Sequence, residues 1–362
     1  MIDTPMKSHP KDPLATQKPS FSHQLQKQWQ SGGALSRAFI PLAKLNGAIQ
    51  SLRKKLYQKQ IKRSYRAPYP VIVVGNIYVG GTGKTPVVAA IVQALQDKGW
   101  QPGIISRGYG VKIGPAARIA KGVNVKAELI GDEPALLAQY AAIAVHPKRE
   151  LAIKALLAHY PHTDVIVADD GLQHLALQRD VEIIVQDERG IGNGRLLPAG
   201  PLRESATKLS EVDVIITNRN HHNMPEQAHN ATQTQTPLLV DMRLLPTAFV
   251  NLKNNSELAL DTWLSHYQNH SIAAVAGIGN PQRFFNSLAA LHITPQKQQA
   301  FPDHHSFSRE DFEGIDEEII LMTEKDALKC RHWADERFWF LKVRAEFSDP
   351  DFFDKIEHLI NN

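Results

Sequence analysis

The sequence has almost no cysteine and no long apolar run. Cys330 is its only cysteine among 362 residues, which excludes internal disulfides and a zinc site built from several cysteines, and which fits a reducing compartment. No stretch of about eighteen uninterrupted apolar residues occurs, so we expect no conventional transmembrane helix. The N-terminal residues also lack the pattern of an export signal, in which a charged segment precedes an apolar run and a small-residue cleavage site.

Acidic residues are absent from Pro13 to Gln96, although the whole chain carries a formal net charge of only +4. Within this region seven basic residues lie close together: Arg53, Lys54, Lys55, Lys59, Lys62, Arg63 and Arg66. A basic block of this kind predicts an anionic partner, either lipid headgroups or nucleic acid. The remaining composition, 43% hydrophobic and 22% charged, is that of a globular protein with a sizeable core.

The N-terminal region divides into two segments. Residues 1–32, rich in Pro, Gln, Ser and Lys, are predicted to be a disordered lead-in. The segment 33–66 is predicted to be an amphipathic, basic, membrane-associating helix, which Pro41 is expected to break or kink near its first turns. Its apolar residues recur at steps of three or four and form one stripe: Leu35, Phe39, Leu42, Leu45, Ile49, Leu52 and Leu56.

Three roles remain open for this stripe. It could pack against the rest of the protein, lie in a bilayer interface with its basic end on anionic headgroups, or belong to a nucleic-acid-binding arm. The basic block directly after the stripe favours the membrane surface. The scarcity of aromatic residues for base stacking argues against nucleic acid.

From residue 70 onward, short apolar strands alternate with helices. The predicted strands are Val71–Gly75, Pro102–Ser106, Asp164–Ala168, Glu182–Gln186, Val212–Thr217, Leu238–Asp241, Ile272–Ala276, Ile319–Thr323 and Phe338–Val343. The predicted helices are Thr85–Lys98, Asp132–Tyr140, Arg149–His159, Pro281–Leu291 and 350–360. This alternation predicts the α/β class, with a P-loop NTPase-like fold and mainly parallel sheets covered on both faces. A polar break around 220–270 predicts two α/β/α sandwich units, a P-loop core at 67–250 and a smaller C-terminal unit at 251–362.

A glycine-rich loop follows the first strand and precedes a helical pattern. The loop residues expected to bind nucleotide phosphate are Tyr78, Val79, Gly80, Gly81, Thr82, Gly83, Lys84 and Thr85. Consecutive glycines let several backbone N–H groups point at one anion, beside the positive end of the helix. In such a loop Lys84 reaches the β- and γ-phosphates of ATP, and the Thr85 hydroxyl holds Mg²⁺. The alternative is a plain glycine turn between strand and helix.

Two loop positions depart from known patterns. Tyr78 stands where the common pattern has glycine, and Val79 stands where dimerising switch ATPases carry a signature lysine. The missing lysine argues against a P-loop switch ATPase. The loop alone therefore predicts nucleotide binding and leaves the chemistry open.

Acidic residues and one histidine supply further candidates. Asp169 and Asp170 follow a predicted buried strand, at the sheet edge where open α/β proteins bind ligands, and with Thr85 they are predicted Mg²⁺ ligands. A turn leading into the next glycine is the alternative for this acidic pair. Asp132 starts a helix and could merely cap it, while His304 lies in a polar loop where histidine is usually solvated. The residues by themselves leave the roles of Asp132 and His304 open.

Seven motifs occur in order between Val79 and Ala327, within a pattern that covers roughly residues 33–345. They are Val79-Gly-Gly-Thr-Gly-Lys-Thr-Pro86, Ser106-Arg-Gly-Tyr-Gly110, Gly131-Asp-Glu-Pro134, Asp169-Asp-Gly-Leu-Gln-His174, Leu197-Pro-Ala-Gly-Pro-Leu-Arg-Glu204, Phe301-Pro-Asp-His304 and Thr323-Glu-Lys-Asp-Ala327. Together they resemble the tetraacyldisaccharide 4′-kinase family, which acts in the lipid A pathway of Gram-negative bacteria. The specificity of the resemblance comes from the combination of motifs in register.

The resemblance implies a kinase that uses ATP and Mg²⁺ to phosphorylate the 4′-hydroxyl of a tetraacylated glucosamine disaccharide 1-phosphate. It implies that Asp132 acts with His304 to activate this hydroxyl, and that Lys84 is a third catalytic residue. Other motif residues are expected around the substrate: Arg107, Tyr109, Gln173, His174, Arg203 and Glu204.

The resemblance also implies where the protein acts and with what. The expected partners are the acylated lipid and an anionic membrane surface, at the cytoplasmic face of the inner membrane, in a peripheral or monotopic arrangement. Neither nucleic acid nor an obligate protein partner is inferred. A soluble P-loop kinase acting on a small molecule remains the main alternative.

Overall fold

The computed structural model describes residues 28–29, 32–219 and 237–361. Most of the predicted lead-in at 1–32 and most of the polar stretch at 218–236 lie outside these residues. Within the described residues, no helix combines the length and apolar character needed to cross a membrane.

One sheet of thirteen strands runs through the described residues. In chain order the strands are β1 Val71–Gly75, β2 Pro102–Ser106, β3 Arg118–Ala120, β4 Ile143–Val145, β5 Val165–Asp169, β6 Val181–Asp187, β7 Val214–Asn218, β8 Leu238–Asn251, β9 Glu257–Ala259, β10 Ile272–Ala276, β11 Lys297–Ala300, β12 Ile319–Thr323 and β13 Phe338–Phe347. Across the sheet they follow the order β11-β10-β12-β13-β8-β7-β6-β1-β5-β2-β4-β3, and β9 pairs with β8. The predicted α/β class is confirmed.

The sheet has two mainly parallel groups of strands. In the N-terminal group β1 pairs in parallel with β5 and β6, and in the C-terminal group β10 pairs in parallel with β11 and β12. A long antiparallel pairing of β8 with β13 joins the groups, so the strands of the two predicted units form one continuous sheet. The domain boundaries at 250 and 251 fall at the end of β8 and stay a prediction.

Strand β8 is much longer than the sequence predicts. The apolar run ends near Asp241, but the strand continues to Asn251 because β13 supplies hydrogen-bond partners along its length. Pro246, which has no N–H to donate, pairs with Val343 beside an irregularity between Lys342 and Val343. Part of the loop-rich break expected at 220–270 is therefore strand.

The helices lie between the strands in sequence. They are α1 Ala34–Ala38, α2 Ile40–Gln58, α3 Lys84–Asp97, α4 Ala127–Ile130, α5 Asp132–Leu137, α6 Arg149–His159, α7 Leu260–Tyr267, α8 Pro281–Ala290, α9 Glu324–Cys330 and α10 Phe352–Asn361, with 3₁₀ turns at Ala206–Ser210 and Arg309–Phe312. The predicted helices are present within a few residues, with two exceptions. Helix α5 ends at Leu137 and not near residue 140, and the helix predicted over 33–66 is two helices that end at Gln58, so residues 59–66 are not helical. Helices α4, α7 and α9 were not predicted, because each is short and mixes polar with apolar residues.

The core lies on both faces of the sheet. Alternate residues of a strand point to opposite faces, so Ile72 and Val74 of β1 pack in the cluster that contains α3 residues, while Val71 and Val73 pack in the cluster that contains α6 residues. Burying each such aliphatic side chain contributes about 1.5–3 kcal/mol to folding. This two-sided burial holds the carboxyl ends of β1, β2 and β5 rigidly side by side.

The N-terminal helices dock through their polar face. The chain breaks at Phe39 between α1 and α2, and Pro41 occupies the first turn of α2, as its sequence position predicts. The polar side chains facing the protein donate to backbone carbonyls: Ser36 to Ala199 at 2.5 Å, Asn46 to Leu197 at 2.9 Å and Gln50 to Arg203 at 2.9 Å. Leu42, Leu45, Ile49 and Leu52 on the other face are each more than half exposed. One of the three roles considered for the stripe was packing against the rest of the protein. The exposure of these four residues argues against that role.

Candidate active site

The glycine-rich loop joins β1 to α3 as predicted and is held at both ends by asparagines. The Asn76 amide donates to the Gly80 carbonyl at 3.2 Å, and the Asn218 amide donates to the Thr82 carbonyl at 2.9 Å. Gly83 has φ of +93°, and a Cβ there would lie 2.5 Å from Asn218 Nδ2. Only glycine fits this position, because it combines a left-handed backbone with a close neighbour.

Two predicted phosphate-loop residues have structural partners of their own. The Tyr78 side chain is buried in the core, and burial, reinforced by nearby Asp187, raises the pKa of its hydroxyl. The Val79 N–H donates to the Pro201 carbonyl at 3.0 Å. These contacts explain why the loop tolerates two departures from the usual pattern at Tyr78 and Val79, since both residues fix the loop to the strand-tip segment around Pro201.

Asp169 ends β5 as a buried carboxylate with one free oxygen. Its Oδ2 accepts a hydrogen bond from Ser106 at 3.0 Å, while Oδ1 has no hydrogen-bond partner among the described residues. Burial raises the pKa of Asp169 to about 7, and the nearby carboxylates of Glu133 and Asp170 act in the same direction. Because burial and neighbouring negative charge disfavour its ionised form, a bound cation would stabilise the Asp169 carboxylate.

Asp170 is paired with two basic side chains. Arg203 donates to both of its oxygens, at 2.9 and 3.0 Å, and Lys84 Nζ lies 3.8 Å from Oδ1. Burial raises the pKa of Asp170, but Lys84 and Arg203 outweigh burial and hold the pKa below its usual range. The backbone of Asp170 has φ of +47°, a conformation unusual for a residue with a side chain. The predicted phosphate-loop lysine, strand-tip acid and motif arginine thus meet in space.

Arg149 is a residue that the sequence analysis missed. Its guanidinium is buried beneath the strand tips and donates to the backbone carbonyls of Asp169, Asp170 and His146, at 3.0, 3.3 and 3.4 Å. Burial lowers its pKa to about 10, so it remains a cation at neutral pH. It positions the acidic pair through the main chain. An arginine that opens a helix carries no sequence signal for such burial.

Asp132 and His304 meet although 172 residues separate them in the sequence. His304 Nδ1 lies 3.2 Å from Asp132 Oδ2, and Lys329 Nζ lies 3.2 Å from the same oxygen. Burial raises the pKa of Asp132, but the His304 hydrogen bond and the Lys329 charge outweigh it, so the net pKa is lowered. Asp132 is therefore a carboxylate at neutral pH.

The local backbone explains the placement of this pair. Gly131 has φ of +99°, and a Cβ there would lie 3.0 Å from the Tyr109 carbonyl, so glycine is needed just before Asp132. His304 has φ of +62°, and its ring centroid lies 5.7 Å from that of Tyr109. Strained, non-glycine backbone of this kind is often found at functional sites.

The remaining predicted substrate residues fall into two groups. Gln173 donates to Glu204 at 2.6 Å and to the Asn76 carbonyl at 3.1 Å, next to the Arg203 side chain. His174 is largely buried, and burial together with Arg149 and Arg179 lowers its pKa to about 4, so it is neutral at pH 7. Arg107 and Tyr109, by contrast, are exposed on the loop that follows β2.

Four charged residues surround the Asp132–His304 pair: Glu133, Asp303, Lys325 and Lys329. Lys325 Nζ lies 3.7 Å from Glu133 and 3.4 Å from Asp303, and Lys329 lies one turn further along α9. The sequence signal for these residues is the spacing of two lysines four apart on one helix face. That spacing is common on solvent-exposed helices, so it did not identify Lys325 and Lys329 as site residues.

A mainly parallel sheet that carries a lysine-ended phosphate loop beside strand-tip carboxylates defines a P-loop enzyme that acts on a nucleoside triphosphate. Comparison with known proteins narrows this class. The family model described as tetraacyldisaccharide-1-P 4′-kinase matches residues 35–361. The chain therefore belongs to the tetraacyldisaccharide 4′-kinase family.

Individual relatives agree with this assignment. Tetraacyldisaccharide 4′-kinase of Bordetella petrii is 50% identical over 94% of this chain and 96% of its own length, and that of Idiomarina loihiensis is 42% identical over 90% and 94%. A crystal structure of LpxK from Aquifex aeolicus in complex with ATP superposes with a TM-score of 0.74 at 27% identity, covering 90% of this chain and 98% of that one. The predicted P-loop fold, family and ATP-dependent kinase activity are confirmed.

Proposed function

We propose that this kinase transfers the γ-phosphate of ATP to the 4′-hydroxyl of a tetraacylated glucosamine disaccharide 1-phosphate, and that Asp132 accepts the proton of that hydroxyl. The observation that carries the proposal is the contact of Asp132 with His304. This contact brings together the motif at 131–134 and the motif at 301–304, and it does so beside the phosphate loop. A Cβ on Gly279 would lie 3.4 Å from the Gly81 nitrogen and 3.2 Å from Asp303 Oδ2, so the His304 loop borders the phosphate loop.

The state of Asp132 suits a general base. A sugar hydroxyl is a weak nucleophile at neutral pH, so removing its proton as the phosphoryl group arrives helps the reaction. Asp132 is ionised and is oriented through Oδ2. His304 acts as the group that orients it, with Nδ1–H donating to the carboxylate. Removal of such a base typically costs about 10²–10⁴ in rate.

Charge stabilisation comes from Lys84 and a divalent cation. Lys84 opens α3, where its ammonium reaches the phosphates of ATP. The unpaired Oδ1 of buried Asp169 fits an oxygen-seeking Mg²⁺, and Thr85 and Asp170 are the other residues proposed to hold it. Among the described residues no group of three or more His, Cys, Asp or Glu side chains could hold a metal ion. Phosphate and water oxygens would complete the shell of a bound Mg²⁺. Bound Mg²⁺ neutralises charge on the transferring phosphate.

The acceptor is proposed to bind beside Arg203 and Gln173, whose contacts with Asn76 place them next to the phosphate loop. Gln173 donates to Glu204, and both Gln173 and Arg203 donate to Asn76. His174, which follows Gln173 in the chain, is neutral and can donate or accept with a sugar hydroxyl. Exposed Arg107 and Tyr109 stand at the opening, where a charged and an aromatic side chain suit a phosphorylated sugar.

A membrane surface is the proposed source of the acceptor. Helix α2 binds residues 197–203 with its polar face, so its exposed apolar stripe lies next to the segment that carries Arg203. The basic residues at its C-terminal end favour anionic headgroups. We propose that this helix rests in the cytoplasmic face of the inner membrane, where a lipid with four acyl chains resides.

A product assay tests the proposed function. The protein is incubated with ATP, Mg²⁺ and detergent-dispersed tetraacyl disaccharide 1-phosphate, and the lipid is examined for a second phosphate by mass spectrometry. Formation of the 1,4′-bisphosphate supports the proposal. Phosphorylation of the free disaccharide headgroup at equal efficiency supports instead a soluble small-molecule kinase.

A further inference from the structure

Lys329 is a buried cation in the last turn of α9. Its side chain is only 9% exposed, and Nζ lies 3.2 Å from Asp132 Oδ2 and 3.7 Å from Asp326 Oδ1. The ammonium also lies 5.8 Å from the ring centroid of Phe307. An ammonium in such a place is costly to desolvate, so its position requires compensating charge.

Asp326 anchors this ammonium. The Asp326 side chain is fully buried, and its Oδ2 accepts hydrogen bonds from the Gly277 N–H at 2.9 Å and from the Thr323 hydroxyl at 2.7 Å. Oδ1 has no hydrogen-bond partner and faces Lys329. Asp326 is therefore fixed by the start of its own helix and by the residue after β10. Its charge faces the Lys329 ammonium at 3.7 Å, and Nζ itself makes no hydrogen bond among the described residues, so charge attraction alone relates the two groups.

The contact with Asp132 leaves one carboxylate oxygen available. His304 and Lys329 both make their nearest approach to Oδ2, whereas Oδ1 of Asp132 accepts no side-chain hydrogen bond among the described residues. A carboxylate held through one oxygen presents the other in a fixed direction. Because Lys329 belongs to α9 and Asp132 to α5, the contact also fixes the C-terminal group of strands against the helix that carries the base.

We propose that Lys329 is a positioning residue for phosphoryl transfer, which holds Asp132 Oδ2 so that Oδ1 faces the acceptor hydroxyl. The inference rests on the proposed role of Asp132 as the base. Lys329 touches neither ATP nor the acceptor and acts through Asp132. A purely structural role, in which Lys329 only neutralises Asp326, is the competing explanation.

The two roles differ in their effect on the acid limb of the pH–rate profile. Loss of the Lys329 cation removes a charge that favours ionised Asp132, so the pKa of Asp132 rises and activity is lost at a higher pH on acidification. The other titratable or charged groups around Asp132 and Lys329 are Glu133 on α5, Lys325, Asp326 and Cys330 on α9, and Asp303 and His304 on the loop after β11. All of them stay in place in a Lys329 variant.

The experiment compares full-length Lys329→Met, Lys329→Arg and the double variant Asp326→Asn/Lys329→Met with wild type. Surface Lys355→Met, which loses only the 2.6 Å pair with Asp349, is the matched control. For each protein we measure kcat and KM across pH, ATP binding and the melting temperature. The double variant removes the unpaired buried charge of Asp326, so it separates loss of folding from loss of positioning.

We expect Lys329→Met and the double variant to lower kcat by about 10- to 100-fold with ATP binding retained, and to move the acid limb to higher pH. Lys329→Arg should recover part of kcat and return the limb toward its original position. A double variant with wild-type stability, kcat and acid limb overturns the inference.

The Asp132→Asn variant shows whether a negative result with Lys329 overturns only the role of Lys329 or also the proposed role of Asp132. If Asp132→Asn is inactive while Lys329→Met keeps the wild-type profile, only the role of Lys329 is wrong. If Asp132→Asn is fully active, the proposed base and the inference about Lys329 are both wrong.

Discussion

Arg203 donates two hydrogen bonds to the Asp170 carboxylate, from Nη1 to Oδ1 at 2.9 Å and from Nη2 to Oδ2 at 3.0 Å. The same Nη1 donates to the Asn76 side chain at 2.9 Å, and Asn76 in turn holds the phosphate loop. One guanidinium therefore couples the strand-tip acid to the loop that binds nucleotide. A lysine cannot reproduce this geometry, because it offers one point charge in place of a planar fork.

Arg203→Lys should therefore lower the apparent affinity for Mg²⁺ more than it lowers the stability of the fold. Loss of a partner that orients a metal ligand typically costs about 10–100-fold in metal affinity or activity. We expect the Mg²⁺ concentration for half-maximal rate to rise while the melting temperature changes little. Arg243→Lys, which alters a half-exposed pair with Glu346, is the control. An unchanged Mg²⁺ requirement in Arg203→Lys would contradict the proposed role of Asp170.

Lys84→Met should abolish most activity without unfolding the protein. Removing one preorganised positive group from a developing charge costs about 10²–10³ in kcat. The control is Lys98→Met at the C-terminal end of the same helix, since the ion pairs of Lys98 among the described residues are with Asp354 and Glu357 of α10. Steady-state assays with varied ATP are the measurement. A Lys84→Met enzyme with near-normal kcat would show that the loop lysine does not act on the phosphates.

Two glycines of the phosphate loop should respond differently to alanine. At Gly83 the backbone is left-handed and a Cβ would lie 2.5 Å from Asn218 Nδ2, whereas at Gly81 a Cβ meets nothing within 4 Å. Strain of this kind costs on the order of 1–3 kcal/mol, so Gly83→Ala should lose ATP binding much more than Gly81→Ala. Calorimetric titration with ATP compares the two. Equal losses would mean that the observed loop geometry is not the one that binds nucleotide.

The exposed stripe of α2 should control membrane binding and not chemistry. Replacing Leu45, Ile49 and Leu52 with Gln removes apolar surface that would enter the bilayer interface. We expect less co-sedimentation with vesicles of mixed neutral and anionic lipid, and unchanged turnover of detergent-dispersed substrate. Leu239→Gln, which alters a still more exposed leucine on β8, is the control. Full vesicle binding by the triple variant would remove α2 as the membrane contact.

Local patterns allowed much of the fold to be predicted. Residues 71–86 carry strand, loop and helix signals within one short stretch, and the structure has all three there. Strand β8 beyond Asp241 could not be predicted, because its extension depends on pairing with β13, about a hundred residues later. Helix α9 was missed because its polar residues are buried against another helix and do not show a solvent-facing pattern.

The candidate site shows the same limit. Asp169 and Asp170 were predicted from their place after a strand, which is a local feature. The pairing of Asp132 with His304 came from family resemblance alone, since no local signal joins residues so far apart. Buried Arg149 and Lys329 were missed because charged residues are rarely buried, and what permits their burial is a set of partners distant in sequence.

The role of Asp132 as the base is tested most directly by the rate of 4′-phosphorylation by Asp132→Asn at saturating ATP and Mg²⁺. Asparagine keeps the size of the side chain and can still accept from His304, but it cannot take a proton. We expect kcat to fall by a factor of about 10²–10⁴ with ATP affinity unchanged. A kcat within about twofold of wild type would contradict the assignment of Asp132 as the base that activates the acceptor hydroxyl.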